Sequence, residues 1–146
     1  MNLEIMKKLG LEEVTIDAGI ALLKQDERAS KVYIMVTGKV RVTAKDHEIA
    51  VIDDIGTILG EISALLGTDN VATVTTMEPS TFHIVDDFLE FIKKNPEVGI
   101  SVAQLLAVRL INTNNHMVYI KDQLDGLQTN LKNYLPVFSE TGIPRI

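Results

Sequence analysis

Residues 56–74 read GTILGEISALLGTDNVATV, with three glycines, Gly56, Gly60 and Gly67, and between the first and last of them one acid, Glu61. Glu61–Leu66 is apolar enough for a short helical turn, and Gly60 leads into it. The N–H groups at the start of such a turn have no acceptor of their own and point outward, which favours an anion such as a phosphate. A carboxylate beside them accepts hydrogen bonds from sugar hydroxyls. On residues alone, an ordinary glycine turn between two strands remains open as the alternative.

On both sides of this segment the chain consists of short β-branched runs punctuated by Gly, Asp and Asn. Strands are expected at Val14–Ile16, Ile20–Leu23, Val32–Thr37, Lys39–Thr43, Glu48–Ile52, Val71–Thr76 and Thr81–Val85. In Lys39–Thr43, Val40 and Val42 face one way and Arg41 and Thr43 the other. Many short strands at close spacing predict a β-barrel or jelly roll. Leu3, Ile5, Met6 and Leu9 form an amphipathic helix closed by Gly10. Asp86 and Asp87 cap a helix running through Lys94, which Asn95-Pro96 stops. Asp53-Asp54 reads as a turn, and His47 as the tip of a hairpin.

From Pro96 to Pro136 there is no turn signal. Ala103, Leu106, Leu110, Thr113, Met117, Ile120, Leu124, Leu127, Leu131 and Tyr134 follow one another at alternating steps of three and four. That is the seam of a two-stranded coiled coil, on a helix roughly 60 Å long at about 1.5 Å per residue. A homodimer is therefore expected, with Leu106, Leu110, Met117, Ile120, Leu124, Leu127 and Leu131 at its interface. A helix folded back on its own β-domain is the competing reading. Gly126 costs about 1 kcal/mol of helix propensity and marks a point for a bend. The expected organisation is a β-roll over residues 1–95, a dimer helix over 96–135 and a tail over 136–146.

Composition narrows the function. The 146 residues are 46% hydrophobic, enough for a packed core, and 14 basic residues against 20 acidic ones leave a net charge of −6. An acidic domain with no Trp is poorly suited to a phosphate backbone or to base stacking. Having no Cys excludes disulfides, thiolate zinc sites and cysteine nucleophiles. The first residues lack a secretory signal pattern, and no run approaches the roughly 20 apolar residues of a membrane helix, so a cytoplasmic location is expected. His47, His83 and His116 are dispersed, which leaves no metal triad for a cupin-type barrel enzyme. No serine stands in a nucleophile elbow. Neither catalysis nor a metal is expected.

The stretch from Val14 to about Asn112 resembles a cyclic-nucleotide-binding domain, the family of the sensor half of catabolite-activator proteins and of protein kinase A regulatory subunits. The pieces carrying the resemblance are Gly19, then Val32–Val40 (VYIMVTGKV), Gly56, Gly60–Leu66 (GEISALL) and Ala72-Thr73-Val74. The resemblance implies a double-stranded β-helix followed by a hinge helix and a dimer helix. It also implies a phosphate-binding cassette comprising Gly60, Glu61, Ile62, Ser63, Asn70, Val71, Ala72 and Thr73. In that cassette the turn's amides hold a cyclic phosphate and Glu61 takes the ribose 2′-hydroxyl. The position where the family carries its phosphate-pairing arginine is Asn70, followed by Val71 where a small residue is usual.

The ligand class implied is cAMP or cGMP. Gln123, Asp125, Gln128, Thr129 and Asn130 lie where the family's helix covers the base, although taken alone they read as a solvated helix face. After Leu135 only eleven residues follow, too few for the winged helix of the transcription-factor branch, so DNA binding is not expected. Two readings result. One is a non-enzymatic sensor whose ligand, held under the long helix, repositions that helix. The other is a family fold that binds no nucleotide and serves as a dimerisation or interaction scaffold.

Overall fold

The computed structural model describes residues 1–134. In chain order the elements are α1 Leu3–Lys8, β1 Glu13–Ile16, β2 Ala21–Leu23, β3 Val32–Thr37, β4 Val40–Ala44, β5 His47–Ile52, β6 Ile58–Leu59, α2 Glu61–Leu66, β7 Thr73–Thr76, β8 Ser80–Val85, α3 Phe88–Lys94 and α4 Pro96–Tyr134. The proposed tail, 136–146, lies outside the described residues. The chain separates into two compact units, Met1–Val102 and the part from Ala103 onward.

Two antiparallel four-stranded sheets, ordered β1-β8-β3-β6 and β2-β7-β4-β5, build the first unit. This is the jelly roll expected from the strand pattern. The core lies between the sheets: Met35, Leu59 and Phe82 from one meet Leu23, Val40 and Val74 from the other. Tyr33 lays its ring edge-on against Phe82 at 5.9 Å and 81°, the arrangement that two ring quadrupoles prefer.

Local chemistry explains the connections. Ala44 pairs with His47 across a two-residue turn in which Lys45 and Asp46 have φ of 50° and 63°, as a twisted hairpin requires. His47 therefore opens β5 and stands one residue past the tip expected for it. Asp87 caps α3, its carboxylate accepting from the Glu90 N–H at 3.1 Å. Thr76, buried, donates to the Asp17 carbonyl at 2.7 Å and accepts from the Ile20 N–H at 2.9 Å, which ties the β1–β2 turn to β7.

Three features differ from the sequence reading. The two-residue strand β6 was not anticipated; it pairs with β3 through Tyr33–Leu59 and Ile34–Ile58 and is too short to show alternation. β7 begins at Thr73, not Val71, because residues 69 and 70 are drawn instead toward the 26–28 loop. α4 continues through Gly126 without a break to Tyr134. One helical glycine costs about 1 kcal/mol, a small sum against the propagation of a helix this long.

Candidate functional site

Gly60 has φ +90° and forms the N-cap of α2. A Cβ there would lie 3.0 Å from the Lys31 carbonyl oxygen and 3.1 Å from Leu23 Cδ1, so both backbone angle and space demand glycine. It brings no side chain to cap the first turn. Gly67, φ +64°, closes the helix, and its N–H donates to the Ser63 carbonyl. Between these glycines the polar residues point inward. Glu61 is 3% exposed and Ser63 is buried, its hydroxyl 3.4 Å from the Asp69 carbonyl oxygen. Ile62 and Leu66 face outward. Placing a carboxylate and a hydroxyl inside while Ile62 and Leu66 stay outside reverses the usual preference, which marks this turn as more than a connection.

The second half of the cassette is held by a loop the sequence did not single out. Asn70 is 4% exposed. Its N–H donates to the Glu27 carbonyl at 2.9 Å, its carbonyl accepts from the Asp26 N–H at 2.9 Å, and its side-chain Nδ2 donates to the Lys24 carbonyl at 3.1 Å. Arg28 and Asp69 continue the pairing as an antiparallel bridge. Asn70 Oδ1 is buried with no hydrogen-bond partner among the described residues. Thr73 Oγ1 accepts from the Gln25 N–H at 3.0 Å, which fixes the same loop to β7. Val71 is 65% exposed and Ala72 half-buried.

The fold thus brings 60–63 and 70–73 into one assembly stapled to residues 24–28. Nothing local in the sequence signals that loop, because its contacts cross more than forty residues of chain. Gln123, Asp125, Gln128, Thr129 and Asn130 lie on α4 beyond Val102, all exposed. The Thr129 hydroxyl donates to the Asp125 carbonyl four residues back. Of the histidines, His47 and His116 are exposed and His83 is fully buried in β8, its Nδ1 3.2 Å from the Glu12 carbonyl oxygen. Among the described residues no three His, Asp or Glu side chains cluster, and no helix is long and apolar enough to cross a membrane.

Two sheets rolled around one core, with a glycine-led helical cassette between β6 and β7, define a β-roll of the cassette-bearing class. Residues 13–95 match the cyclic nucleotide-binding domain family model. The chain belongs to the cyclic nucleotide-binding domain family. It is 35% identical over 108 residues to the Pycsar effector protein PaPycTIR of Pseudomonas aeruginosa, a match covering 72% of this chain and 34% of that protein. The chain thus spans about a third of that relative's length.

Among solved structures it is similar to the catabolite activator protein of Thermus thermophilus, with TM-score 0.72, 20% identity, and coverage of 98% of this chain and 70% of that one. A further similar structure comes from work on a cyclic-GMP-dependent signalling pathway of bacterial phytopathogenesis, with TM-score 0.62, 20% identity, and coverage of 77% and 95%. At these identities the two structures speak for the fold.

Proposed function

We propose that the chain is a non-enzymatic sensor module that holds a cyclic nucleotide, cAMP or cGMP, at Gly60–Ser63 and Asn70–Thr73 and passes its occupancy to the long helix of a homodimer. The observation that carries this reading is the inward-facing Glu61 directly after the left-handed Gly60, within the span matched by the family model. A buried carboxylate accepts several hydrogen bonds at once, so ribose hydroxyls can join the partners Glu61 already has within the chain. The path outward is short. α2 packs on α3, and the first turns of α4 bury Val98 and Val102 in the same compact unit. A ligand that binds one position of α2 better than another shifts the population of α3 and α4 positions by that difference, and a partner protein reads the result.

The test is isothermal titration calorimetry with cAMP and cGMP on the wild type and on Glu61→Ala. Binding that Glu61→Ala abolishes, in a variant that remains folded by circular dichroism, supports the assignment; unchanged affinity sinks it.

One observation favours the second reading, a scaffold without a nucleotide. Residue 70 brings no charge, and its amide is already engaged with the Lys24 carbonyl. Asn70→Arg separates the two, since arginine retains donors for that carbonyl and adds the charge. A variant that binds cyclic nucleotide where the wild type does not indicates an intact but disarmed pocket. If neither binds, the scaffold reading stands.

A further inference from the structure

We infer that Arg28, on the loop between β2 and β3, supplies the positive charge for the phosphate in this cassette, beside the unmatched Oδ1 of Asn70. The inference rests on the reading that a cyclic nucleotide occupies the cassette. Such a ligand carries an anionic phosphodiester, and an anion leaving water needs a compensating charge or strong donors. Residue 70 cannot supply the charge.

Of the other cations near the site, Lys31, Lys39 and Arg41 have acidic partners, and Lys24 meets it through its main chain. Lys31 meets Gly60 through its carbonyl oxygen while its ammonium pairs with Asp86 at 3.4 Å. Lys24 meets Asn70 through its carbonyl oxygen. Lys39 pairs with Asp53 at 3.9 Å and Arg41 with Glu48 at 2.9 Å.

Arg28 is different. Its main chain bridges to Asp69, and its Nη2 lies 3.9 Å from where a Cβ on Gly67 would stand, so the guanidinium rests directly on the cassette. Acids surround it in the chain and across the bridge, at Asp26, Glu27 and Asp69, yet it forms no ion pair among the described residues. One step along the same pairing, Asn70 Oδ1 is a buried acceptor without a donor. A guanidinium offers five N–H donors in a planar fork. That is enough to satisfy Asn70 Oδ1 with one edge and a phosphate oxygen with another. An uncommitted guanidinium and the unmatched acceptor are thus neighbours on one loop pairing.

The test is calorimetry of the wild type, Arg28→Gln and Arg28→Lys with cAMP and cGMP and with the uncharged nucleosides adenosine and guanosine, at low and high salt. Arg28→Gln is expected to weaken the cyclic nucleotides by about tenfold or more and to flatten their salt dependence. It should leave the nucleosides unchanged, and Arg28→Lys should recover part of the loss. Wild-type affinity and salt dependence in Arg28→Gln would overturn the inference while sparing the cassette assignment. An equal loss for nucleosides would also overturn it, since that would signal a disturbed loop and not a missing charge. A wild type that binds neither nucleotide overturns the sensor reading, and this inference falls with it.

Discussion

Asn70 Nδ2 donates to the main-chain carbonyl oxygen of Lys24 across 46 positions of sequence, at 3.1 Å. With the two backbone bonds to Asp26 and Glu27 on either side, this side chain joins the cassette to the β2–β3 loop. Asn70→Ala removes the donor and leaves the Lys24 carbonyl with one partner fewer, which should cost about 1–3 kcal/mol in urea unfolding. Val71→Ala, one residue on but 65% exposed, should stay within about 0.5 kcal/mol of wild type. Equal stabilities for the two variants would show that the staple carries no load.

Two glycines should answer the same substitution with opposite signs. Gly38 joins β3 to β4 at φ +113°, and a Cβ there would overlap the Ser80 side chain and lie 2.6 Å from its Cα. Ser80 is fully buried, and its hydroxyl donates to the Glu78 carbonyl at 2.8 Å and accepts from the Lys39 N–H at 3.2 Å. Gly38→Ala combines a left-handed penalty with overpacking and should destabilise by about 2–4 kcal/mol. Gly126, inside α4, has nothing within 4 Å of its Cβ position, so Gly126→Ala should raise helix stability by about 1 kcal/mol. Circular dichroism melts of the two variants check both signs.

This contrast also shows where the sequence was readable. The strands of the β-roll were legible because β-branched residues alternate between glycine and acidic punctuation, as in Val40 and Val42 of β4. The cap of α3 was legible because Asp87 acts on its own near neighbour Glu90. The cassette turn was visible in Gly60-Glu61, since one needs a left-handed backbone and the other is a lone acid among apolar residues. The pairing of 26–28 with 69–70 was not visible, because no periodicity marks two backbone bonds between distant segments. The burial of His83 was hidden for a related reason: β8 is covered on both faces, and its pattern therefore loses the alternation that would assign a side.

Burial raises the Tyr33 hydroxyl above its ordinary value of 10.0, with nearby Lys31 pulling it down and Asp86 pushing it up by smaller amounts. The folded chain thus resists ionising Tyr33, while the unfolded chain ionises it at about pH 10. Its contribution to stability is complete below that pH and is lost as the pH rises toward the higher folded value. Tyr33→Phe cannot ionise, so it should lose less stability than the wild type between neutral pH and the alkaline range. Denaturation midpoints with parallel pH dependence in the two proteins would contradict this.

The proposed dimer rests on the stripe from Leu106 to Leu131. Leu110, Met117, Ile120, Leu124, Leu127 and Leu131 are all exposed in the single chain, on a helix with few charges of its own to keep it apart from a copy. A contiguous apolar stripe of this length on a helix marks an interaction surface, and steps of three and four match a second helix better than a flat sheet. Sedimentation equilibrium should therefore give twice 16.1 kDa. Leu124→Lys removes two leucines from one layer, at about 1.5–3 kcal/mol each, and sets two like charges face to face, so the dimer Kd should weaken about hundredfold or more. Asn115→Lys, off the seam, should leave the mass unchanged. A wild-type monomer at micromolar concentration would refute the seam, and a Leu124→Lys dimer of unaltered strength would place the interface elsewhere on the chain.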